Sequence, residues 1–323
     1  MTHSNYPQSG VKSGMDCPTF GRFRDMRDAV LPVGTLRGAF AAAVTPFQAN
    51  GDVAEDAIAG LVELYVAAEL DGVMAMGTTG EGMLLSTSER RTVAERFLDA
   101  ANDRLAVVIH CGAQTTRDTV ALADHAAESG ATAIAVIPPP YYALDDDALV
   151  EHLAAAARAC APASFYLYEF AARSGYAVPL AVIERIRERT TNLVGLKLSD
   201  APLERFAPYL SCGLDVLVGP EALIHEGMSG GAVGAVSALA SAFPEMVSEL
   251  VRSPSPEAAQ QVGAVRSALQ AFPFQAALKH VLGRRGIDVA PHVRAPLRTM
   301  TGVERAALDD SLKDVAWSAN DAR

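Results

Sequence analysis

The sequence predicts one closed parallel (β/α)8 TIM barrel carrying a C-terminal helical appendage. Three observations point there. From Gly38 onward, eight short apolar runs alternate with longer amphipathic segments, the pattern of a parallel sheet with crossover helices. Every connection between them is short. No glycine-rich dinucleotide loop follows the first apolar run, which weighs against a doubly wound open sheet, the competing architecture. The 323 residues, half of them hydrophobic, suffice for the core of one large domain.

Residues 1–36 are polar, mixed in charge and without sustained periodicity. They read as an extension that is flexible or packs on a neighbour. The strand candidates follow at 39–44, 72–76, 106–111, 133–137, 165–168, 193–198, 216–218 and 232–237, each a short apolar run of the length a buried strand needs. Between them, periodicity predicts helices at 53–69, 89–101, 116–129, 146–159, 180–188, 203–210 and 222–228, with a further segment near 244–251. Past about Arg252 the apolar runs stop. Segments 256–270, 274–282 and 303–315 read as helices, giving a barrel over 37–252 and C-terminal helices over 253–323.

Bulk properties exclude several functions. The net charge is −11 and the isoelectric point about 5.1, with no cluster of Lys or Arg, so nucleic acid is not an expected partner. No apolar stretch reaches membrane-helix length, and the N-terminus lacks a secretory pattern. Cys17, Cys111, Cys160 and Cys212 are widely spaced and form no C-x-x-C. They fit reduced thiols in a cytoplasmic protein better than disulfides or a zinc site.

The chemistry collects at strand ends, where such a barrel carries its function. The chain has four lysines, Lys12, Lys197, Lys279 and Lys313. Lys12 lies in the extension, and Lys279 and Lys313 lie in charged helical segments where a solvated lysine is ordinary. Lys197 ends the apolar run Leu193-Val194-Gly195-Leu196-Lys197-Leu198. Burying an ammonium costs free energy, and desolvation shifts an amine toward its nucleophilic form. The plain alternative is a strand-end lysine that snorkels to water.

After the second strand comes Gly77-Thr78-Thr79-Gly80-Glu81-Gly82. Its glycines permit a tight turn, and its amides and hydroxyls suit a carboxylate or phosphate, unless the turn only reverses the chain. After the fourth strand, Pro138-Pro139-Pro140 stiffens a loop presenting Tyr141 and Tyr142; interface packing is the ordinary role for Tyr141. Tyr166 and Tyr168 alternate onto one face of the fifth strand, where an inward Tyr168 beside Lys197 could shuttle a proton. Arg173, among small residues, can clamp a carboxylate or simply face solvent. Two other motifs are discounted. Gly227-Met228-Ser229-Gly230-Gly231 matches G-x-S-x-G but has a helix before it and a strand after it, the reverse of an esterase elbow. His110 and Cys111 point to opposite faces of one strand and read as core.

Together the Gly77–Glu81 loop, the Tyr168 strand end and Gly195-Leu196-Lys197 resemble the dihydrodipicolinate synthase / N-acetylneuraminate lyase superfamily of class I pyruvate-dependent lyases. The resemblance runs from about Gly38 through the C-terminal helices. Val108-Ile109-His110-Cys111-Gly112-Ala113 and Gly195-Leu196-Lys197-Leu198-Ser199-Asp200 look most similar to the animal-type neuraminate lyase branch. The resemblance implies a homotetramer, a dimer of dimers, with no metal and no organic cofactor. It implies that Lys197 forms an imine with pyruvate or another 2-oxo acid and that Thr78 and Thr79 hold its carboxylate. Tyr168 would move protons in a relay with Thr78 and Tyr142, the last donated across a dimer interface. Gly219 and Val236 would line the pocket through their backbones.

Departures from the family pattern bear on the substrate. Neuraminate lyases carry an acidic residue where Pro220 stands before Glu221, and a serine where Ala238 stands. Losing those sugar-hydroxyl partners argues against sialic acid. Arg173 matches the arginine with which dihydrodipicolinate synthases take the second substrate's carboxylate. The family's Tyr-Asn-x-Pro becomes Tyr168-Glu169-Phe170-Ala171, which reshapes the rim. The expectation is a Schiff-base lyase joining pyruvate and a carboxylate-bearing aldehyde, with Glu221 among the substrate contacts. The alternatives are dehydration of a 2-oxo-3-deoxy sugar acid through the same imine, and a non-catalytic family member.

Overall fold

In the computed structural model, residues 35–315 are described; the expected extension over 1–36 lies almost wholly outside them. Eight parallel strands pair in chain order and close, β8 returning to β1. They are β1 (Gly38–Ala42), β2 (Gly72–Ala75), β3 (Ala106–His110), β4 (Ala133–Val136), β5 (Ser164–Glu169), β6 (Leu193–Leu198), β7 (Asp215–Val218) and β8 (Gly234–Ser237). The helices around them are α1 (Ala57–Ala67), α2 (Thr87–Ala101), α3 (Thr116–Glu128), α4 (Asp146–Ala159), α5 (Ala171–Ser174), α6 (Leu180–Arg187), α7 (Leu203–Phe206), α8 (Ile224–Ser229) and α9 (Pro244–Arg252). Three more follow: α10 (Pro256–Gln270), α11 (Phe274–Arg284) and α12 (Gly302–Ser311). The barrel and its C-terminal helices are therefore as the alternation predicts.

Helix starts follow capping chemistry. Ser86 and Thr301 close capping boxes with Glu89 and Glu304, and Thr115, Asp145 and Ser255 each accept a first-turn amide. Several predicted boundaries move for local reasons. The helix expected at 53–69 begins only at Ala57, because residues 47–53 fold back through a Phe47–Val53 bridge and the Gln48 amide donates to Asp52 at 2.8 Å. The segment 203–210 holds Pro208, which has no amide to donate. It divides into α7 and a 3-10 stretch over Ala207–Ser211. Segment 222–228 opens as a 3-10 turn at Glu221–Leu223, and α12 stops at Ser311. Strand β2 ends at Ala75 because Met76 takes a left-handed φ of 58°.

Strand alternation divides the core in two. Outward positions such as Val73, Ile109, Leu167, Leu196 and Val218 pack under the helices. Inward positions, including Phe40, Met74, Val108, Tyr166, Leu217 and Val236, fill the barrel. Tyr166 and Tyr168 share that interior, as their spacing predicts. The Tyr166 hydroxyl caps the lower end by accepting from the Leu36 amide at 2.8 Å. Among the described residues no helix is long and apolar enough to cross a membrane, and no group of three His, Cys, Asp or Glu is placed to hold a metal ion.

One expectation about the core is overturned. Lys279 is not a solvated helical lysine; it is fully buried. Its Nζ donates to Glu81 Oε1 at 2.6 Å and to the His292 carbonyl at 2.7 Å. The other Glu81 oxygen accepts the Arg294 amide at 2.8 Å. This buried pair ties α11 to the loop after β2.

Candidate active site

Register sets the centre of the site. Tyr168 on β5 and Lys197 on β6 are direct cross-strand partners, so two inward side chains at strand C-terminal ends stand side by side. Lys197 is buried, and its Nζ lies 3.9 Å from the centre of the Tyr168 ring. Its hydrogen-bond partner is Ser199, two residues on and on the same face, whose hydroxyl accepts from Nζ. The Tyr168 hydroxyl is 3.1 Å from the Thr78 hydroxyl. Burial tends to raise the Tyr168 pKa. The Lys197 charge, the Thr78 hydroxyl and the nearby Lys197 and Ser199 polar groups outweigh it and hold the phenol below its ordinary value. A phenol made more acidic in this way is poised for proton transfer.

The loop 77–82 is held by more than its own turn. Glu81 has a left-handed φ of 56°, and the Gly82 amide donates to the Gly77 carbonyl at 3.2 Å. A Cβ at Gly82 would lie 1.8 Å from the Met76 carbonyl oxygen, so only glycine lets the backbone pass. The buried Lys279–Glu81 pair anchors the loop from beneath. Gln275 of α11 donates to the Thr78 carbonyl at 3.4 Å. Thr79 is buried and Thr78 half-buried.

His110 is core, as expected, but it is also part of the site's support. Its ring meets the Tyr168 ring edge-on at 5.8 Å. Burial and the Arg90 charge push its pKa down to about 3, despite the Met76 carbonyl. That carbonyl can only accept, so the proton sits on Nδ1, 3.0 Å away. Cys111 faces the outer core.

The strand ends open into a cavity of about 300 Å³. Thr78, Thr79, Tyr168, Lys197, Arg173, Gly219, Glu221 and Val236 all line it. A Cβ at Gly219 would come within 2.3 Å of the Ser199 hydroxyl, so that glycine leaves Ser199 room beside Lys197. Arg173 is exposed at the rim, its guanidinium 5.6 Å over the Phe170 ring. Phe170 in turn stacks on Tyr168. Glu221 is buried with its carboxylate engaged. Oε1 accepts from the Ser237 hydroxyl at 2.7 Å and the Leu239 amide at 2.9 Å, and Oε2 faces Arg266 at 3.5 Å. Tyr142 is not brought to the cavity by its own chain; it is exposed and packs edge-on against Tyr141.

Sequence reasoning missed four polar lining groups. Ser199 could have been found from its two-residue spacing from Lys197. Arg266 and Gln270 on α10, and Gln275 on α11, belong to helices read only as an appendage, yet they wall the cavity.

At the rim, Glu169 of β5 is fully buried beside the Asp200 carboxyl. It also accepts the Val178 amide at 3.0 Å. Asp200 accepts the Ala171 amide at 3.0 Å. This carboxyl pair holds both ends of the segment that carries Arg173. Burial, reinforced by Asp200, pushes the Glu169 pKa up to about 8.

Residues 35–315 match the model of the Dihydrodipicolinate synthetase family. An uncharacterized DapA-like lyase of Halobacterium salinarum is 35% identical, the match spanning 88% of this chain and 95% of that protein. A 4-hydroxy-tetrahydrodipicolinate synthase of a Chelativorans species is 30% identical over 86% and 98%. Among solved structures, Proteus mirabilis N-acetylneuraminate lyase superposes with a TM-score of 0.80 at 29% identity, covering 88% of this chain and 99% of that one.

Proposed function

The chain belongs to the dihydrodipicolinate synthetase family, a family of lyases, and from that premise we propose that it is a class I aldolase acting through a lysine imine. Lys197 attacks the ketone of pyruvate or another 2-oxo acid, and water leaves. The protonated C=N is a stronger electron sink than the ketone. In the cleavage direction the 4-hydroxyl loses its proton and the C3–C4 bond breaks to release an aldehyde. The electron pair is held as an enamine, which takes a proton at C3; water then returns pyruvate and the free amine. Thr78 and Thr79 hold the 2-oxo acid carboxylate. Tyr168, bonded to Thr78, moves the protons. Tyr142 joins that relay from a second subunit of a homotetramer.

One observation carries the reading. Lys197 is a buried amine at a strand end, partnered by a hydroxyl, beside a phenol whose acidity its own charge raises. The partner is a carboxylate-bearing aldehyde rather than sialic acid. Arg173 lines the acceptor half, while Pro220 and Ala238 offer no side-chain hydrogen bond there. Incubation with pyruvate and borohydride tests the imine: a reduced three-carbon adduct on Lys197 with loss of activity is expected. An unmodified Lys197 in fully active protein ends the proposal. Release of free pyruvate distinguishes cleavage from dehydration.

A further inference from the structure

Arg266 lies outside the barrel's strands and loops, on the fourth turn of α10, yet its side chain lines the cavity. Three contacts fix it there. Its guanidinium stacks 3.9 Å over the Phe274 ring, Nη2 donates to Gln270 Oε1 at 2.8 Å, and Nη1 faces Glu221 Oε2 at 3.5 Å. Cation–π stacking and an ion pair orient a planar fork without exhausting its five donors.

Glu221 is on the receiving side of this arrangement. Oε1 is taken up by two hydrogen bonds from the protein and Oε2 faces the Arg266 guanidinium, so the carboxylate is fixed in place and positions Arg266. The charged side chains lining the acceptor side are then Arg173 and Arg266 against the single carboxylate of Glu221. A local excess of positive charge in a chain of net charge −11 is a field matched to an anionic ligand. The Thr78–Thr79 loop already provides for one carboxylate by its hydroxyls and amides, so the arginines are available to a second.

We propose that Arg266 is a specificity-determining residue that, with Arg173, receives a second carboxylate, so that the cleaved substrate is a 4-hydroxy-2-oxo dicarboxylate and the aldehyde product carries an acid group. This rests on the imine reading of Lys197. The guanidinium, pre-oriented by Phe274 and Glu221, binds that acid bidentately at little entropic cost. Glu221 acts through Arg266 as a positioning residue.

The test separates this inference from the imine. Calorimetric titration with succinate, an inert diacid, reads the anion site directly in wild type and in Arg266→Gln. Condensation of pyruvate with succinic semialdehyde and with butyraldehyde, its neutral counterpart, reads specificity. Arg266→Gln is expected to weaken succinate binding about tenfold to a hundredfold, the range for losing a charged hydrogen bond. It should lower the acid-to-neutral ratio of kcat/KM by a similar factor, mainly through KM, with partial recovery in Arg266→Lys. Unchanged succinate affinity, or equal losses for both aldehydes, overturns the role of Arg266. A wild-type enzyme that pyruvate and borohydride fail to label overturns the imine instead, and the succinate titration still decides Arg266.

Discussion

Replacing Glu169 with glutamine should make the protein's stability less sensitive to pH, and the size of the effect follows from the site. Glu169 has no exposed surface. Facing it are the Asp200 carboxyl, the Val178 amide, and two phenols, Tyr176 and Tyr209, whose pKa values are both raised by burial. The phenols stay neutral through the range of interest, so the folded pKa of about 8 reflects burial and Asp200. An unfolded glutamate titrates near 4.3. Between those values the folded chain binds the extra proton, so stability falls as pH rises from about 4.5 and levels off above about 8. At about 1.4 kcal/mol per tenfold change in proton affinity, the ceiling is about 5 kcal/mol. Glutamine keeps the shape, accepts from Val178 and donates to Asp200, but carries no proton to lose. In urea denaturation followed by circular dichroism, Glu169→Gln should gain on wild type by a few kcal/mol between pH 5 and pH 8.5, most of it above pH 6. Parallel pH profiles for the two proteins would refute the buried neutral carboxyl. So would a wild type that becomes more stable across that interval while the variant does not.

Two further outcomes follow from the same geometry. Lys279→Met leaves Glu81 buried without its cation and should cost about 3–5 kcal/mol. The double variant with Glu81→Gln should recover part of that loss, read as thermal midpoints, and equal destabilisation in both would contradict the pairing. Tyr168→Phe removes the hydroxyl that meets Thr78 and should slow turnover about 10²- to 10⁴-fold. The urea midpoint should change little, so a rate within threefold of wild type would remove Tyr168 from the proton path.

What the sequence disclosed depended on whether a signal was local. Lys197, Tyr168 and the Thr78–Thr79 turn were legible because strand alternation and strand ends are short-range patterns. Arg173 was legible for a related reason, since its loop follows β5 directly. Arg266 was not, because a charged residue on an amphipathic helix carries no mark of which surface it faces until α10 is docked. The Glu169 departure was visible as an added carboxylate, but its partner Asp200 lies one β/α unit away on the neighbouring strand's loop, and only the barrel brings the two together. The misplaced start of α1 has the opposite origin. The helical periodicity was real, but the turn at 48–52 and the Phe47–Val53 bridge took the first residues for themselves.

The two buried lysines show why burial alone does not single out the amine of the proposed imine. Lys279 is the more deeply buried, and desolvation pushes its pKa down to about 8 even though Glu81 opposes the shift. By desolvation alone it would be the better nucleophile. It is disqualified by its partners: a carboxylate at 2.6 Å and a carbonyl at 2.7 Å occupy its donors, and it does not line the cavity. Both amines lie over an aromatic ring, but Lys197 opens onto that cavity and has a hydroxyl where Lys279 has an anion. An electrophile can displace a hydroxyl contact cheaply, whereas breaking a buried ion pair strands a charge. The neighbours thus divide the work between two similar side chains. One fixes the loop that carries Thr78 and Thr79, and the other is left open to the cavity, as the proposed imine requires.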